Sequence, residues 1–198
     1  MRKCTTYLCY LFFLSLVVLV ANVLPAGQQY SDWAAVQKAA EQGSAEAQLV
    51  LGTMYARGLG VLKDDAKAAH WYQKAAEQGE AQAQGALGAM YAYGQGVPQD
   101  NTKALQWFEK AAEQGLALAQ FSLGLAYGEG RGVMKDDSKA VQWYQKAAEQ
   151  GLARAQSNLG TMYETGRGIQ QDYAQAMQWY QKAAEQGYAL EHFDFHFM

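Results

Sequence analysis

Three histidines, His70, His192 and His196, are the side chains best suited to bind a metal or move a proton. His192 and His196 stand four apart, with Glu191 and Asp194 beside them. On a helix that spacing puts two imidazoles on one face and could hold zinc. The stretch EHFDFHFM, however, alternates aromatic and polar residues with period two, which disfavours a helix there. A C-terminal tail over 188–198 is expected instead. His70 takes a place filled elsewhere by Gln106, Gln142 and Gln178, so it reads as part of a solvated helix face. Ser44, Ser122, Ser138 and Ser157 are scattered, and no histidine recurs near them as a base. Gly58/Gly60 and Gly130/Gly132 could suggest a phosphate cradle, but they follow a helical pattern and no Lys-Ser/Thr pair comes after them. The sequence therefore predicts no catalytic residues, no metal and no cofactor.

What the chain does carry is one phrase written repeatedly. WYQKAAEQG ends at Gly79, Gly151 and Gly187, WFEKAAEQG ends at Gly115, and a shorter relative ends at Gly43. The 36-residue period yields four copies without insertion, at 44–79, 80–115, 116–151 and 152–187. A period between about 20 and 50 residues indicates a solenoid or array. Within a copy, Ala68, Trp71, Tyr72, Ala75 and Ala76 fall on one helical stripe, Asp64 precedes them as an N-cap and Gly79 ends the helix. In the fourth copy, Asp172 with Gln175 has the spacing of a capping box. An earlier stripe, Ala47, Leu51, Met54 and Tyr55, makes a first helix that stops at Gly58. Each copy is thus read as two helices around a short glycine-rich loop. Gly52, Gly88, Gly124 and Gly160 sit mid-helix, where glycine costs about 1 kcal/mol against alanine, so close helix approach is expected. The tryptophans Trp71, Trp107, Trp143 and Trp179 are expected to fill what those small residues leave open. A helix from about Ser31 to Gln42, within 27–43, is expected to cap the array.

Residues 1–26 stand apart. Arg2 and Lys3 precede an apolar run that closes on Leu24-Pro25-Ala26, the pattern of a secretory signal peptide cut after Ala26. An uncleaved membrane anchor is the alternative, since Cys4 to Leu24 would span a hydrocarbon core of about 30 Å as a helix. Either way the repeats are expected outside the cytoplasm, periplasmic or secreted if cleaved and membrane-anchored if not. Both cysteines, Cys4 and Cys9, lie in this segment, which leaves no disulfide for the remainder. The 16 basic residues less Arg2 and Lys3 leave 14 against 19 acidic ones, a net charge near −5. Nucleic acid is not an expected partner for such a surface.

The stretch AEAQLVLGTMYARGLGVLKDDAKAAHWYQKAAEQG resembles the Sel-one-like repeat, a subclass of the tetratricopeptide superfamily. The likeness covers 44–187 and the half-copy before it. It implies an all-α fold, a right-handed α-solenoid of helix-turn-helix repeats, and a non-enzymatic adaptor that binds proteins or peptides. Bacterial members are often exported and tied to signalling, envelope processes or host contact. A cysteine-rich branch is associated with β-lactam binding or hydrolysis, but these repeats carry no cysteines.

Specificity is expected where the copies differ. One face of the first helices reads Glu46, Val50, Thr53, Arg57; then Gln82, Ala86, Ala89, Tyr93; then Leu118, Ser122, Leu125, Glu129; then Arg154, Asn158, Thr161, Thr165. In related solenoids the first helices line the concave side, which is used for binding. Arg57, Tyr93, Leu118, Leu125, Glu129, Arg154 and Asn158 are therefore the expected partner-binding residues, with a protein or peptide as ligand. An envelope hydrolase or a self-associating structural protein are the alternatives, and oligomeric state is left open.

Overall fold

A computed structural model describes residues 33–188. The expected leader over 1–26 and the expected tail beyond Tyr188 lie outside the described residues. Among those described, every regular element is a helix: α1 Trp33–Glu41, α2 Ala45–Arg57, α3 Asp65–Glu77, α4 Ala81–Tyr93, α5 Asn101–Glu113, α6 Ala117–Glu129, α7 Asp137–Glu149, α8 Ala153–Thr165 and α9 Tyr173–Glu185. The chain forms an all-α solenoid of helix-turn-helix repeats. None of the described helices is long and apolar enough to cross a membrane. The contacts divide the chain into two compact units, one ending at Leu116 and one beginning at Ala117.

In the first unit α2 packs on α3 and α4 on α5, while α1 packs on α2 and α3 on α4. Ala40, Leu51 and Met54 form one buried cluster. Ala68, Tyr72, Ala75, Ala83, Leu87 and Met90 belong to a second, between the hairpins. The second unit repeats the plan: α6 packs on α7, α7 on α8 and α8 on α9. Its buried residues include Leu123, Ala140, Tyr144, Ala147, Leu159 and Ala183. No hairpin can bury its apolar stripe alone, so within each unit neighbouring hairpins cover one another.

The start of each second helix is set by aspartate. Asp64, Asp100, Asp136 and Asp172 accept through Oδ1 from the backbone N–H groups of Lys67, Lys103, Lys139 and Gln175 at 2.9–3.0 Å. Each end is a Schellman motif: the Glu80 N–H reaches the Ala75 carbonyl at 3.1 Å and the Gly79 N–H reaches that of Ala76 at 3.0 Å. Loops between the helices hold glycine for two reasons at once. Gly96 and Gly168 have φ of +66° and +70°, and a Cβ on either would overlap the backbone of Asp65 or Asp137 in the preceding repeat.

The mid-helix glycines do mark close helix approach, but the side chains that fill the space are not the expected tryptophans. A Cβ on Gly52, Gly88, Gly124 or Gly160 would lie 2.5–2.8 Å from ring atoms of Tyr72, Phe108, Tyr144 or Tyr180. The ring lying on each glycine therefore belongs to the residue after the tryptophan. The tryptophans are half-buried at the seam edge instead, with the ammonium groups of Lys74, Lys110, Lys146 and Lys182 4.1–4.6 Å from their ring centroids. Gly124→Ala should accordingly lower the urea midpoint. Helix propensity alone would add about 1 kcal/mol, but overpacking a fitted seam costs about 1–3 kcal/mol. Urea titration of the variant checks the sign.

Candidate interaction surface

The face of the first helices that differs between copies is only partly a surface. Thr53, Ala86, Ala89 and Ser122 are buried. At Thr53, Ala89 and Thr161 the residue type follows the aromatic it faces. The Tyr72 hydroxyl donates to Thr53 Oγ1 at 3.1 Å, and Tyr180 and Thr161 pair at the same distance. Phe108 has no hydroxyl to satisfy, and its copy carries Ala89 in that place. Thr53 passes the bond on to the Leu49 carbonyl at 2.9 Å. Thr53 and Thr161 thus satisfy buried tyrosine hydroxyls.

The other positions keep some contact with solvent, both at the column ends and, at Val50, Leu125, Asn158 and Thr161, within the columns. In the first unit Arg57 and Tyr93 close α2 and α4 at equivalent register, both half-buried, each with polar or ring contacts of its own. In the second unit Leu118 and Leu125 are half-buried and Glu129 is exposed, paired with Arg131. The Arg154 guanidinium lies 6.0 Å from the Tyr188 ring centroid. The Asn158 side chain lies beside the Tyr144 hydroxyl. The structure thus brings Asn158 to Tyr144 and Arg154 to Tyr188.

Sequence reasoning missed a set of glutamines. Gln48, Gln84, Gln120 and Gln156 are buried, yet polar at both ends. Their Oε1 atoms accept from Gln78, Gln114, Gln150 and Gln186 at 2.7–2.9 Å. Gln48, Gln84 and Gln156 then donate to the carbonyls of Ala40, Ala76 and Ala148 in the preceding helix at 3.0–3.2 Å. In these three repeats the glutamine therefore clasps the C-terminal end of the helix before it. The signal available was the invariance of both glutamines in all four copies.

Electrostatically the units are governed by short local pairs. Hydrogen bonds from the Lys67 and Lys103 backbone hold the Asp64 and Asp100 carboxyls below their ordinary range. The Arg167 guanidinium, 2.7 Å from Asp137, does the same there. Burial raises the Tyr144 and Tyr180 hydroxyls, the latter to about 12 with help from Glu164, whose carboxylate accepts at 2.6 Å. The depressed aspartates add stability above the unfolded carboxyl value, and that contribution is lost as pH falls through the lower folded values. The urea midpoint should stay level from neutral pH to about pH 5 and fall below about pH 4, measured by titrations across that range.

No group of three or more His, Cys, Asp or Glu among the described residues is placed to hold a metal ion. His70 is exposed, edge-on to Trp71 at 5.4 Å. His192 and His196 lie outside the described residues. The decisive observation is the family match: the Sel1 repeat model fits residues 45–80, 81–116, 117–152 and 153–188.

The chain belongs to the Sel1 repeat family. Its fitted repeats begin one residue later than the period read from the sequence. No curated protein matches the chain. Among solved structures, a protective antigen of uropathogenic Escherichia coli strains with an SLR fold is 45% identical, with a TM-score of 0.77. The match covers 79% of this chain and 33% of that one. A Sel1 repeat protein from Oxalobacter formigenes is 44% identical at a TM-score of 0.74, covering 78% of this chain and 63% of the other. Cysteine-rich protein B of Helicobacter pylori is 30% identical at a TM-score of 0.50, over 63% of this chain and 90% of its own. The chain thus spans about a third and under two thirds of the first two relatives. Sel1 repeat proteins are typically protein-interaction scaffolds.

Proposed function

We propose that this Sel1 repeat protein is a non-enzymatic adaptor, exported to the periplasm or cell envelope, which binds a protein or peptide through its first-helix face. The observation that carries this reading is the contrast between scaffold and column ends. The aspartate caps, ring-on-glycine contacts and glutamine clasps recur, while Arg57, Tyr93, Glu129 and Arg154 at the solvent-facing ends differ from copy to copy. Large amphipathic side chains such as tyrosine and arginine are the kind that dominate protein interfaces. Export rests on the pattern of residues 1–26.

A pull-down from an envelope extract tests it. Changing Tyr93, Leu125 and Arg154 together to alanine should abolish recovery of the protein that copurifies with the wild type. A control change at exposed Lys110, on a second helix, should leave recovery intact. Unchanged recovery by the triple variant would overturn the assignment of the face. Both variants must keep the wild-type helical circular dichroism.

A further inference from the structure

The last helix presents a face that its counterparts bury. Met177 is 68% exposed, whereas Ala69, Leu105 and Val141 at the same place in the other copies are 4–9% exposed. Ala184 is likewise exposed, and Ala76, Ala112 and Ala148 are buried. Tyr173, at 63%, extends the patch by one turn. In α3 and α7 the equivalent face packs against α4 and α8, the first helix of the following repeat. Among the described residues nothing plays that part for α9.

We propose that this face is a docking site for residues 189–198 of the same chain. The route out of α9 favours it. The Tyr188 N–H meets the Ala183 carbonyl at 3.1 Å after Gly187 at φ +75°, as Glu80 meets Ala75 and Leu152 meets Ala147 at 3.1 Å. One residue beyond Glu80 and Leu152 the chain enters the helix that covers its predecessor. Composition favours it too. Phe193, Phe195, Phe197 and Met198 offer an apolar complement to Met177 and Tyr173, while His192, Asp194 and His196 alternate with the phenylalanines. Reach is sufficient: ten residues span about 15 Å as helix and about 33 Å extended, against about 20 Å for the 13 residues of α9. A tethered segment also has an effective concentration near the millimolar range, which favours it over a second copy at ordinary protein concentrations.

Methionine oxidation reads this directly, because a covered thioether reacts more slowly than an open one. The full-length chain is treated with dilute peroxide, and Met177 is compared by peptide mapping with Met134, which is 88% exposed on a loop. Met177 should oxidise several-fold more slowly than Met134. Changing Phe193, Phe195 and Phe197 together to serine should bring the two rates together, with circular dichroism unchanged. Equal rates in the wild type would overturn the proposal and leave the face open for another protein. So would protection that survives the triple change and weakens on dilution, since a second copy would then be the cover.

Discussion

Tyr72→Ala should lower the unfolding free energy by about 3–5 kcal/mol, the range for removing a buried aromatic. Its ring is fully buried, lies on Gly52 and belongs to the cluster joining the first unit's hairpins. Glycine cannot grow to fill the space, so the cavity stays. Tyr72→Phe should cost only about 0.5–1.5 kcal/mol, one hydrogen bond, because Thr53 keeps its bond to the Leu49 carbonyl. Trp71→Ala should cost less than Tyr72→Ala despite removing more atoms, since the indole is half-buried. Urea titrations of the three variants give the order.

Gln84→Leu should also destabilise, by about 1–3 kcal/mol, although leucine is the more hydrophobic residue in a buried place. The side chain holds two hydrogen bonds: it accepts from Gln114 at 2.8 Å and donates to the Ala76 carbonyl at 3.1 Å. At about 0.5–1.5 kcal/mol apiece, their loss sets that range. Neither partner is orphaned, which limits the damage. Ala76 still accepts from the Gly79 N–H, and Gln114 still donates to the Gly79 carbonyl at 2.9 Å. A reading based on hydrophobic burial alone expects the opposite sign, so the urea midpoint of this variant separates the two.

Much of this architecture could be read in advance, because its signals are local. The period, the apolar stripes and the aspartate caps act within a few residues, and Asp64 through Asp172 do cap the second helices. Packing partners were harder. Trp71 and Tyr72 are neighbours on one stripe, and a period of 3.6 residues does not say which of them meets the glycine. Gln48 and Gln78 are 30 residues apart, so their bond depends on how two helices lie together. Variation misled at Thr53 and Ala89, where it tracks a buried tyrosine or phenylalanine. A single chain read by itself cannot distinguish that from a changing surface. At the candidate surface, the equivalent register of Arg57 and Tyr93 follows from the 36-residue period, but the approach of Asn158 to Tyr144 depends on how two helices pack.

The central physical claim is that each hairpin closes by laying one ring on one glycine, and a double-mutant cycle on Gly52 and Tyr72 tests it most directly. A Cβ on Gly52 would sit 2.6 Å from the Tyr72 ring. Gly52→Ala should therefore destabilise the wild type, yet stabilise the Tyr72→Ala background by about 1 kcal/mol as an ordinary helix alanine does. An equal effect of Gly52→Ala in both backgrounds would show that ring and glycine are not coupled, and would contradict the account.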